Sequence, residues 1–402
     1  MAASVSCSAG FVLGMDLGTT SVKVVLLDAQ SKTVTDSRSF PTNSDISSTS
    51  DIHAKEQDPA LIIAALNQCM EALPKDKLKK VKCIGICGQM HGIVLWKSKS
   101  GCKWLSEEEV IRFIPEDVSQ LITWQDGRCS ADFLSSLPKA DSHLSVATGF
   151  GCATIFWYMK HRPEFLSGFS DAGTIHDYVV SMLCNLDKCV MTGQNAASWG
   201  YFNTTTNKWN TQILKDAGFP VQLLPVVVES GAVAGHTSSE WYGIPAHTAV
   251  GAALGDFQCS VYSCMTDKGD AGLEVNESRI YSQLIQSALA QPNTDLSVTA
   301  TLLGERHDPT SRASASQISP SNLSLGHVTR ALCRGVIENM ATMMPPQSLQ
   351  AAGVKCIIGS GSALSCNTVL QQEVERVFPF PVVYGKNVDS AAGVAMVFND
   401  LT

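Results

Sequence analysis

The amino-acid sequence predicts an α/β protein made of two lobes. Its 402 residues exceed what one hydrophobic core usually supports, since single cores stop growing at about 250–300 residues. Apolar residues make up 45% of the chain and charged residues 16%, which is typical of a globular protein and too apolar for a disordered one. Strand-like runs and segments of helical periodicity follow one another, and a change in composition at 244–250 predicts lobes 1–247 and 248–402.

The first lobe is predicted to open with a β-hairpin. Strand-like runs at 11–16 and 21–28 are joined by Gly-Thr-Thr at 18–20, which favours a tight turn. Residues 37–58 are rich in Ser, Thr and Asp and predict an irregular surface segment, whereas 59–73 repeat apolar side chains at helical spacing and predict a helix. Further predicted elements are strands at 81–87, 92–96 and 355–358, and helices at 325–344, 364–378 and 388–398.

The composition offers no feature typical of a nucleic-acid-binding or membrane protein. The net charge is −8 without a Lys/Arg-rich block, and no segment reaches the ~18–20 unbroken apolar residues of a membrane span. The first ten residues lack the basic and then apolar pattern of a signal peptide. The fourteen cysteines have no zinc-type spacing, so we expect reduced, mostly buried thiols in a cytoplasmic protein.

The predicted hairpin turn is a candidate phosphate site. A Gly/Thr turn between two strands presents backbone N–H groups and hydroxyls to an anion, and phosphate is the ligand that best suits such a turn. Asp16 ends the first strand and is suited to Mg²⁺, which prefers few carboxylates together with phosphate oxygens. The alternative interpretation is an ordinary hairpin with a glycine turn. The candidate phosphate and metal residues are Asp16, Gly18, Thr19, Thr20, Ser21 and Lys23.

Two further motifs follow predicted strands of the second lobe. Asp256 comes after an apolar run at 250–254, and a carboxylate at a strand end can accept the proton of an attacking hydroxyl. The alternative, that Asp256 caps the following helix, is compatible with this role. Gly359, Ser360 and Gly361 stand between a strand and a helix, where glycines let a nucleotide base or ribose approach the backbone. An ordinary tight turn is the alternative there.

A polar and aromatic set in the first lobe is typical of a polyol site. A Trp ring covers the C–H face of a sugar, and charged groups accept or donate hydrogen bonds to its hydroxyls. Individually, His91 and Trp124 would more often be core residues. As a set beside the phosphate motif they favour a sugar site, whose candidate residues are Gln89, Met90, His91, Trp124, Asp126 and Arg128.

In their order along the chain, these motifs resemble those of the FGGY carbohydrate kinases, a branch of the actin/hexokinase/Hsp70 superfamily. The resemblance spans nearly the whole chain and is carried by 16–20, 88–92, 124–128, 255–256, 304–306 and 359–361. It implies two actin-like (ribonuclease H-like) lobes around an interdomain cleft. It also implies ATP and Mg²⁺ as cofactors and a small-molecule sugar as the substrate.

The resemblance further implies the roles of individual residues. Asp256 stands at the position of the family's catalytic base, which is also implied to contact the sugar. Asp16, Thr19 and Thr20 stand at the positions of the family's Mg·phosphate site. The residues implied as sugar contacts are Met90, His91, Trp124 and Asp126, and those implied on the adenosine side are Gly359 to Gly361 with Asn367.

The stretches at 142–157, 173–179, 194–203 and 323–335 are similar to the branch of the family that phosphorylates a seven-carbon ketose. A five-carbon ketose kinase is the neighbouring alternative, because Gln-Met-His-Gly at 89–92 is similar there too. A non-catalytic sugar- or nucleotide-binding protein is the alternative from a different class. Whether the protein is a monomer or a homodimer is left open by the sequence.

The sequence departs from the family pattern at two places. Gly193 stands where the family usually has Asp, which predicts a modest loss of local hydrogen bonding without a change of reaction. The second departure is more serious. The family resemblance implies a second phosphate hairpin soon after the catalytic Asp, but only residues 257–276 separate Asp256 from a helical stretch at 277–290, and no such hairpin is found there. The join left by a missing block is predicted near Ala271 and Gly272. We therefore expect an incomplete second lobe and a form that is weakly active or inactive, and less stable than a complete relative.

Overall fold

The computed structural model describes residues 10–47, 53–107, 110–264, 270–274, 282–301, 311–384 and 389–401. Its contacts divide the chain into two units. The first unit runs to Ser263 and resumes at Asp389, and the second runs from Cys264 to Val388. The boundary predicted after residue 247 lies inside the first unit, because the strand Ala249–Gly251 is hydrogen-bonded to Val81–Gly88 of the first sheet.

The predicted hairpin forms the middle of the sheet of the first unit. Phe11–Leu17 pairs antiparallel with Ser21–Asp28 and parallel with Val81–Gly88. Leu254–Gly255 also pairs with Val81–Gly88, beside Ala249–Gly251. The strands lie in the order Val34–Pro41, Ser21–Asp28, Phe11–Leu17, Val81–Gly88, Ala249–Gly251 and Val233–His236.

Both faces of this sheet are covered, which explains why its central strands are almost continuously apolar. Leu13, Met15 and Leu17 point to one face and pack in a cluster that includes the helix Pro59–Glu71. Val12 points to the other face, in a cluster with residues of the helix Ser390–Leu401. The alternation along the first strand therefore sorts its side chains between two helical layers.

The C-terminal helix, Ser390–Leu401, approaches the sheet so closely that only glycine fits beneath it. A Cβ atom added to Gly14 would lie 2.0 Å from the carbonyl oxygen of Ala391. A Cβ atom added to Gly251 would lie 1.9 Å from Cζ of Phe398. The glycines thus allow the helix backbone to contact the strand that carries Asp16.

Most predicted elements of the first unit are confirmed, with one clear error. The hairpin, the helix Pro59–Glu71 and the strands Val81–Gly88 and Val94–Trp96 are all present. The irregular segment predicted at 37–58 is wrong in part, because Val34–Pro41 forms the outer strand of the sheet. One side of this edge strand faces solvent, so its polar composition is compatible with a strand. Residues 48–52 of that segment lie outside the described residues.

A second apolar cluster of the first unit is built around the helix Gly151–His161 and the segment from Asn195 to Leu224. Its fully buried side chains include Trp199, Tyr201 and Phe202. The remaining strands of this unit are Asp45–Ile46, Glu56–Gln57, Cys102–Glu107, Val110–Pro115, Leu121–Ile122, Asp171–Gly173, Val190–Thr192, Phe202–Asn203, Lys208–Trp209 and Val226–Val228. Its remaining helices are Lys75–Leu78, Ala131–Ser135, Pro163–Leu166, Ile175–Cys184, Gly193–Ser198, Thr211–Asp216, Val221–Leu223 (3₁₀) and Asp256–Cys264.

The second unit contains a three-stranded parallel sheet in which Cys356–Ser360 lies between Asp270–Glu274 and Val382–Tyr384. A short antiparallel pair joins Ser297–Thr299 to Ser314–Ser316. The helices are Ser282–Leu289, Leu325–Met343, Pro346–Ala351, Ser362–Cys366 and Thr368–Val377.

The predicted helix at 325–344 and the predicted strand at 355–358 are confirmed within these bounds. The single helix predicted at 364–378 is wrong, because Asn367 interrupts it. Its Oδ1 accepts hydrogen bonds from the N–H groups of Val369 and Leu370 and so starts a new helix. The motif at 304–306 and the first part of the predicted helix at 277–290 lie outside the described residues.

Cysteines in the described part of the chain form no disulfide, and most of them are buried. None of the helices described is both long and apolar enough to cross a membrane.

The close contact at Gly14 yields a stability prediction. Gly14→Ala should lower the free energy of unfolding of the first unit by about 1–3 kcal/mol, because the new methyl group overlaps the Ala391 backbone. All seven tryptophans lie in this unit, so denaturant unfolding followed by tryptophan fluorescence reports on it. Gly168→Ala is the matched control, because its nearest new contact would be 3.5 Å away. Equal stability of the two variants would contradict the proposed packing.

A buried acid near the sheet predicts how stability changes with pH. Oδ2 of Asp177 accepts hydrogen bonds from the N–H and hydroxyl of Thr174 at the start of the helix Ile175–Cys184. Burial nevertheless raises the pKa of Asp177 from 3.8 to about 7. Because the pKa is higher in the folded state, the contribution of this carboxyl is fully present below the unfolded pKa and is lost as pH rises through about 7.

Asp177→Asn should therefore gain stability relative to the parent chain between about pH 5.5 and about pH 8.5. Urea midpoints of both proteins at the two pH values measure this difference. Parallel pH dependence of the two proteins would refute the assignment.

Candidate active site

The hairpin turn is closed by a hydrogen bond from the N–H of Gly18 to the carbonyl oxygen of Ser21, 3.1 Å long. Thr19 then enters a ring of side-chain hydrogen bonds. Its hydroxyl donates to Oε1 of Gln89 (3.4 Å), Nε2 of Gln89 donates to Oε1 of Gln57 (2.9 Å), and Nε2 of Gln57 donates to the carbonyl oxygen of Thr19 (2.8 Å). The ring fixes the turn against the residue that follows the strand Val81–Gly88.

Trp124 extends this ring toward the predicted sugar residues. Its Nε1 donates to Oγ1 of Thr19 at 3.2 Å, and the residue is 37% exposed. The structure thus brings together a predicted phosphate residue and two predicted sugar residues, Gln89 and Trp124. Gln57 was not predicted, since it lies in a polar stretch without a motif.

Asp16 and Asp256 lie near each other because of the sheet topology. Asp16 and Leu254 are both paired with Cys87, from the two neighbouring strands, and Asp256 follows two residues after Leu254. Burial raises the pKa of Asp16 from 3.8 to about 8, and repulsion from Asp256 and Asp389 adds to this shift. Oδ1 of Asp16 is buried and has no hydrogen-bond partner among the described residues.

Asp389 is an acid of this site that the sequence reading missed. Its Oδ2 lies 2.6 Å from Nζ of Lys23, a predicted phosphate residue. Its Oδ1 accepts hydrogen bonds from the N–H groups of Ala391 and Ala392 at the start of the C-terminal helix. An Asp followed by Ser-Ala-Ala is a helix-start signal. This local signal does not reveal the contact with Lys23, because the two residues are 366 positions apart in the sequence.

His91 occupies a strained position beside the ring of hydrogen bonds. Its backbone φ is +70°, which a residue with a side chain rarely adopts. Nδ1 lies 2.9 Å from the carbonyl oxygen of Ser198, and the ring stacks on Phe150 with centroids 4.9 Å apart. These contacts hold the imidazole in one orientation, as a binding residue requires.

Asp126 and Arg128 form a buried ion pair. Asp126 is fully buried and accepts hydrogen bonds from the N–H of Lys55 and from Nε and Nη2 of Arg128, at 2.7–2.9 Å. Arg128 also bonds Glu56 at 2.6 Å and Tyr158 at 2.9 Å. These contacts favour a role for Asp126 and Arg128 in holding the loop of Trp124. Direct contact of these two residues with a sugar stays a prediction.

A pocket of about 590 Å³ within the first unit joins predicted and unpredicted residues. Met90 and His91 line it together with Phe257 and Gln258, the two residues that follow Asp256. Gly193 lines it too, and a Cβ atom there would lie 3.0 Å from Oδ1 of Asn207. The lining also includes six residues of the stretches 142–157 and 194–203, namely His143, Leu144, Gln194, Ala197, Ser198 and Phe202. Thr204 and Asn207 complete the lining and belong to no motif in the sequence.

The residues predicted on the adenosine side lie in the second unit, at the junction of a strand and a helix. Gly359 and the buried Ser360 end the strand Cys356–Ser360, and Gly361 turns the chain with φ +87°. Asn367 begins the helix Thr368–Val377. Positive φ at Gly361 explains the glycine in structural terms.

The first unit fits a divalent cation carried by a nucleotide. The buried Oδ1 of Asp16 is an orphaned acceptor, and Asp256 and Asp389 add negative charge beside it. Among the described residues, no group of three His, Cys, Asp or Glu side chains is placed as a complete set of metal ligands. This combination suits Mg²⁺, which keeps water and phosphate oxygens among its ligands.

Comparisons with known proteins point to one family. The profile described as "FGGY family of carbohydrate kinases, N-terminal domain" matches residues 11–263. Sedoheptulokinase from Mus musculus is 47% identical over 459 aligned positions, and sedoheptulokinase from Homo sapiens is 46% identical over 460, in both cases over 96% of each chain. The crystal structure of xylulose kinase from Rhodospirillum rubrum shares a TM-score of 0.74 at 19% identity, over 96% of this chain and 89% of that chain.

The α/β fold of this chain is therefore similar to that of a solved carbohydrate kinase, as the sequence predicts. The chain belongs to the FGGY family of carbohydrate kinases. The alignment with the mouse protein has 459 positions against 402 residues here, a difference of 57, so at least that many positions lack a residue in this chain.

The buried ion pair predicts a large effect at Arg128, whose side chain is 5% exposed and pairs with the unexposed Asp126. Arg128→Gln should destabilise the first unit by about 3–5 kcal/mol, because it leaves a buried carboxylate without its countercharge. Arg112→Gln is the control, since the Arg112–Glu107 pair is largely exposed and should matter by less than about 1 kcal/mol. Similar urea midpoints for the two variants would contradict the assigned role.

Proposed function

We propose that this chain binds sedoheptulose and transfers the γ-phosphoryl group of ATP to its terminal hydroxyl, giving sedoheptulose 7-phosphate. The observation that carries the proposal is the ring of hydrogen bonds through Thr19, which links the phosphate hairpin to Gln89 and Trp124. Next to it, Asp16 and Asp256 approach each other and the pocket begins at Phe257. Identity of 46–47% with sedoheptulokinases over 96% of the chain supports this choice of sugar.

In this proposal Asp256 is the catalytic base. It accepts the proton of the terminal hydroxyl while the hydroxyl oxygen bonds the γ-phosphorus and the bond from that phosphorus to its bridging oxygen breaks, releasing ADP. Backbone N–H groups of the turn at Gly18 to Ser21 and the ammonium of Lys23 bind the phosphates. Mg²⁺, when bound through Asp16, neutralises phosphate oxygens.

The neighbouring alternative, a five-carbon ketose, is not favoured. Xylulose kinase from Escherichia coli is 26% identical over 70% of this chain, which is less than the 46–47% over 96% shared with the sedoheptulokinases. Within the first unit, Met90 and His91 sit at one side of a pocket that extends to His143 and Asn207, which leaves room for a longer sugar. We place the reaction in the cytoplasm, without a nucleic-acid or membrane partner.

We further propose that the second lobe is incomplete and that turnover is weak. Between Phe257 and Leu289 the described residues contain the strand Asp270–Glu274, which pairs in parallel with Cys356–Ser360 and not with a sequential neighbour. A second phosphate hairpin is not present in that part of the described chain. The difference of 57 between the 459 aligned positions and the 402 residues supports a missing block.

The test is ADP release by the purified chain with Mg·ATP and sedoheptulose, beside xylulose and glycerol. Selective turnover with sedoheptulose, lowered about 10²–10⁴-fold by Asp256→Asn, is the expected result. Preference for xylulose would overturn the choice of sugar. A kcat equal to that of a complete sedoheptulokinase would overturn the proposal that turnover is weak.

If turnover is absent, the melting temperature distinguishes the remaining possibilities, because a ligand that binds the folded state raises it. A shift with sedoheptulose but not with Mg·ATP would indicate a sugar-binding, catalytically silent form. A shift with neither ligand would refute the proposed site.

A further inference from the structure

Asp16 and Lys23 face each other across the hairpin without forming an ion pair. They are direct partners in the antiparallel register of Phe11–Leu17 with Ser21–Asp28, so their side chains project from the same face of the sheet. Opposite charges in such a cross-strand pair normally attract and stabilise the sheet. Here Oδ1 of Asp16 has no hydrogen-bond partner among the described residues.

Lys23 instead pairs with an acid from the far end of the chain. Its Nζ lies 2.6 Å from Oδ2 of Asp389, whose side chain is only 13% exposed against 36% for Lys23. Asp389 thus holds the ammonium of Lys23, and Asp16 is left with a buried acceptor. The charged groups around this acceptor are Asp256, Asp389 and Lys23.

Asp389 is held in place by the backbone, independently of Lys23. Its Oδ1 accepts from the N–H groups of Ala391 and Ala392, and its own N–H donates to Oγ of Ser263 at 3.3 Å. The contact between Gly14 and Ala391 fixes the helix against the strand of Asp16. Asp389 therefore presents its second oxygen to Lys23 from a fixed position.

We propose that Asp389 is a positioning residue that diverts Lys23 from Asp16 and so keeps the Asp16 carboxylate available to the divalent cation of the nucleotide. With Asp16 ionised, as cation binding requires, three carboxylates and one ammonium leave two net negative charges at the site. Without the charge of Asp389, Lys23 turns to its cross-strand partner, which occupies the carboxylate and leaves one net negative charge. Both effects weaken cation binding.

The inference rests on the proposed function in one respect, that the site takes a nucleotide-bound cation. Its test uses Mn²⁺ alone as the probe, with free Mn²⁺ measured by electron paramagnetic resonance in the presence of the full chain. Asp389→Asn should weaken Mn²⁺ binding about tenfold, because Asn preserves the helix start but not the charge. Asp389→Glu should retain most of the affinity.

A double variant separates diversion from a merely structural role. Adding Lys23→Met to Asp389→Asn removes the competing ammonium, and Mn²⁺ affinity should return to within about threefold of the parent chain. A helix-start role alone predicts no change in Asp389→Asn. Failure of Lys23→Met to restore affinity would overturn the inference as well. Matched melting temperatures of the variants exclude unfolding as the cause.

The same titration distinguishes this inference from the proposed function. Asp16→Asn should abolish Mn²⁺ binding, and retention of binding in that variant would overturn both the metal assignment and the diversion. A chain that binds Mn²⁺ as described but phosphorylates no sugar would refute the proposed reaction while supporting the role of Asp389.

Discussion

The contact between the C-terminal helix and the central hairpin is the constraint on which the site depends. Gly14 allows the backbone of Ala391 to touch the first strand, so the last helix of the chain belongs to the first unit although 125 residues of the second unit, Cys264 to Val388, precede it. This packing brings Asp389 to Lys23. A side chain at position 14 would displace the helix and, with it, one of the three acids that surround the hairpin.

Sheet topology explains why the other functional groups meet. Asp16 lies near the end of Phe11–Leu17, Gln89 follows Val81–Gly88, and Asp256 follows Leu254–Gly255, and these three strands are parallel neighbours. Their carboxyl ends therefore share one edge of the sheet, where ligands of open α/β sheets usually bind. Residues that are distant in the sequence become one site because parallel strands align equivalent positions.

This topology also separates what the sequence could predict from what it could not. The hairpin, the acid after the apolar run and the Trp124 loop carry local signals, and the structure brings Thr19, Gln89 and Trp124 together. The contact of Asp389 with Lys23 and the place of Asn207 in the pocket carry no such signal, because both depend on tertiary packing. The outer strand Val34–Pro41 was missed because an edge strand tolerates polar residues that resemble a loop.

Two buried carboxyls show how function differs from structural support. Asp126 has its charge matched by Arg128 and its oxygens occupied by hydrogen bonds, so its surroundings are complete without a ligand. Asp16 has a buried oxygen without a partner, and burial with two neighbouring acids raises its pKa to about 8. A proton or a bound cation would neutralise that carboxylate. The unmatched carboxyl, rather than the better-bonded one, is therefore the candidate for ligand binding.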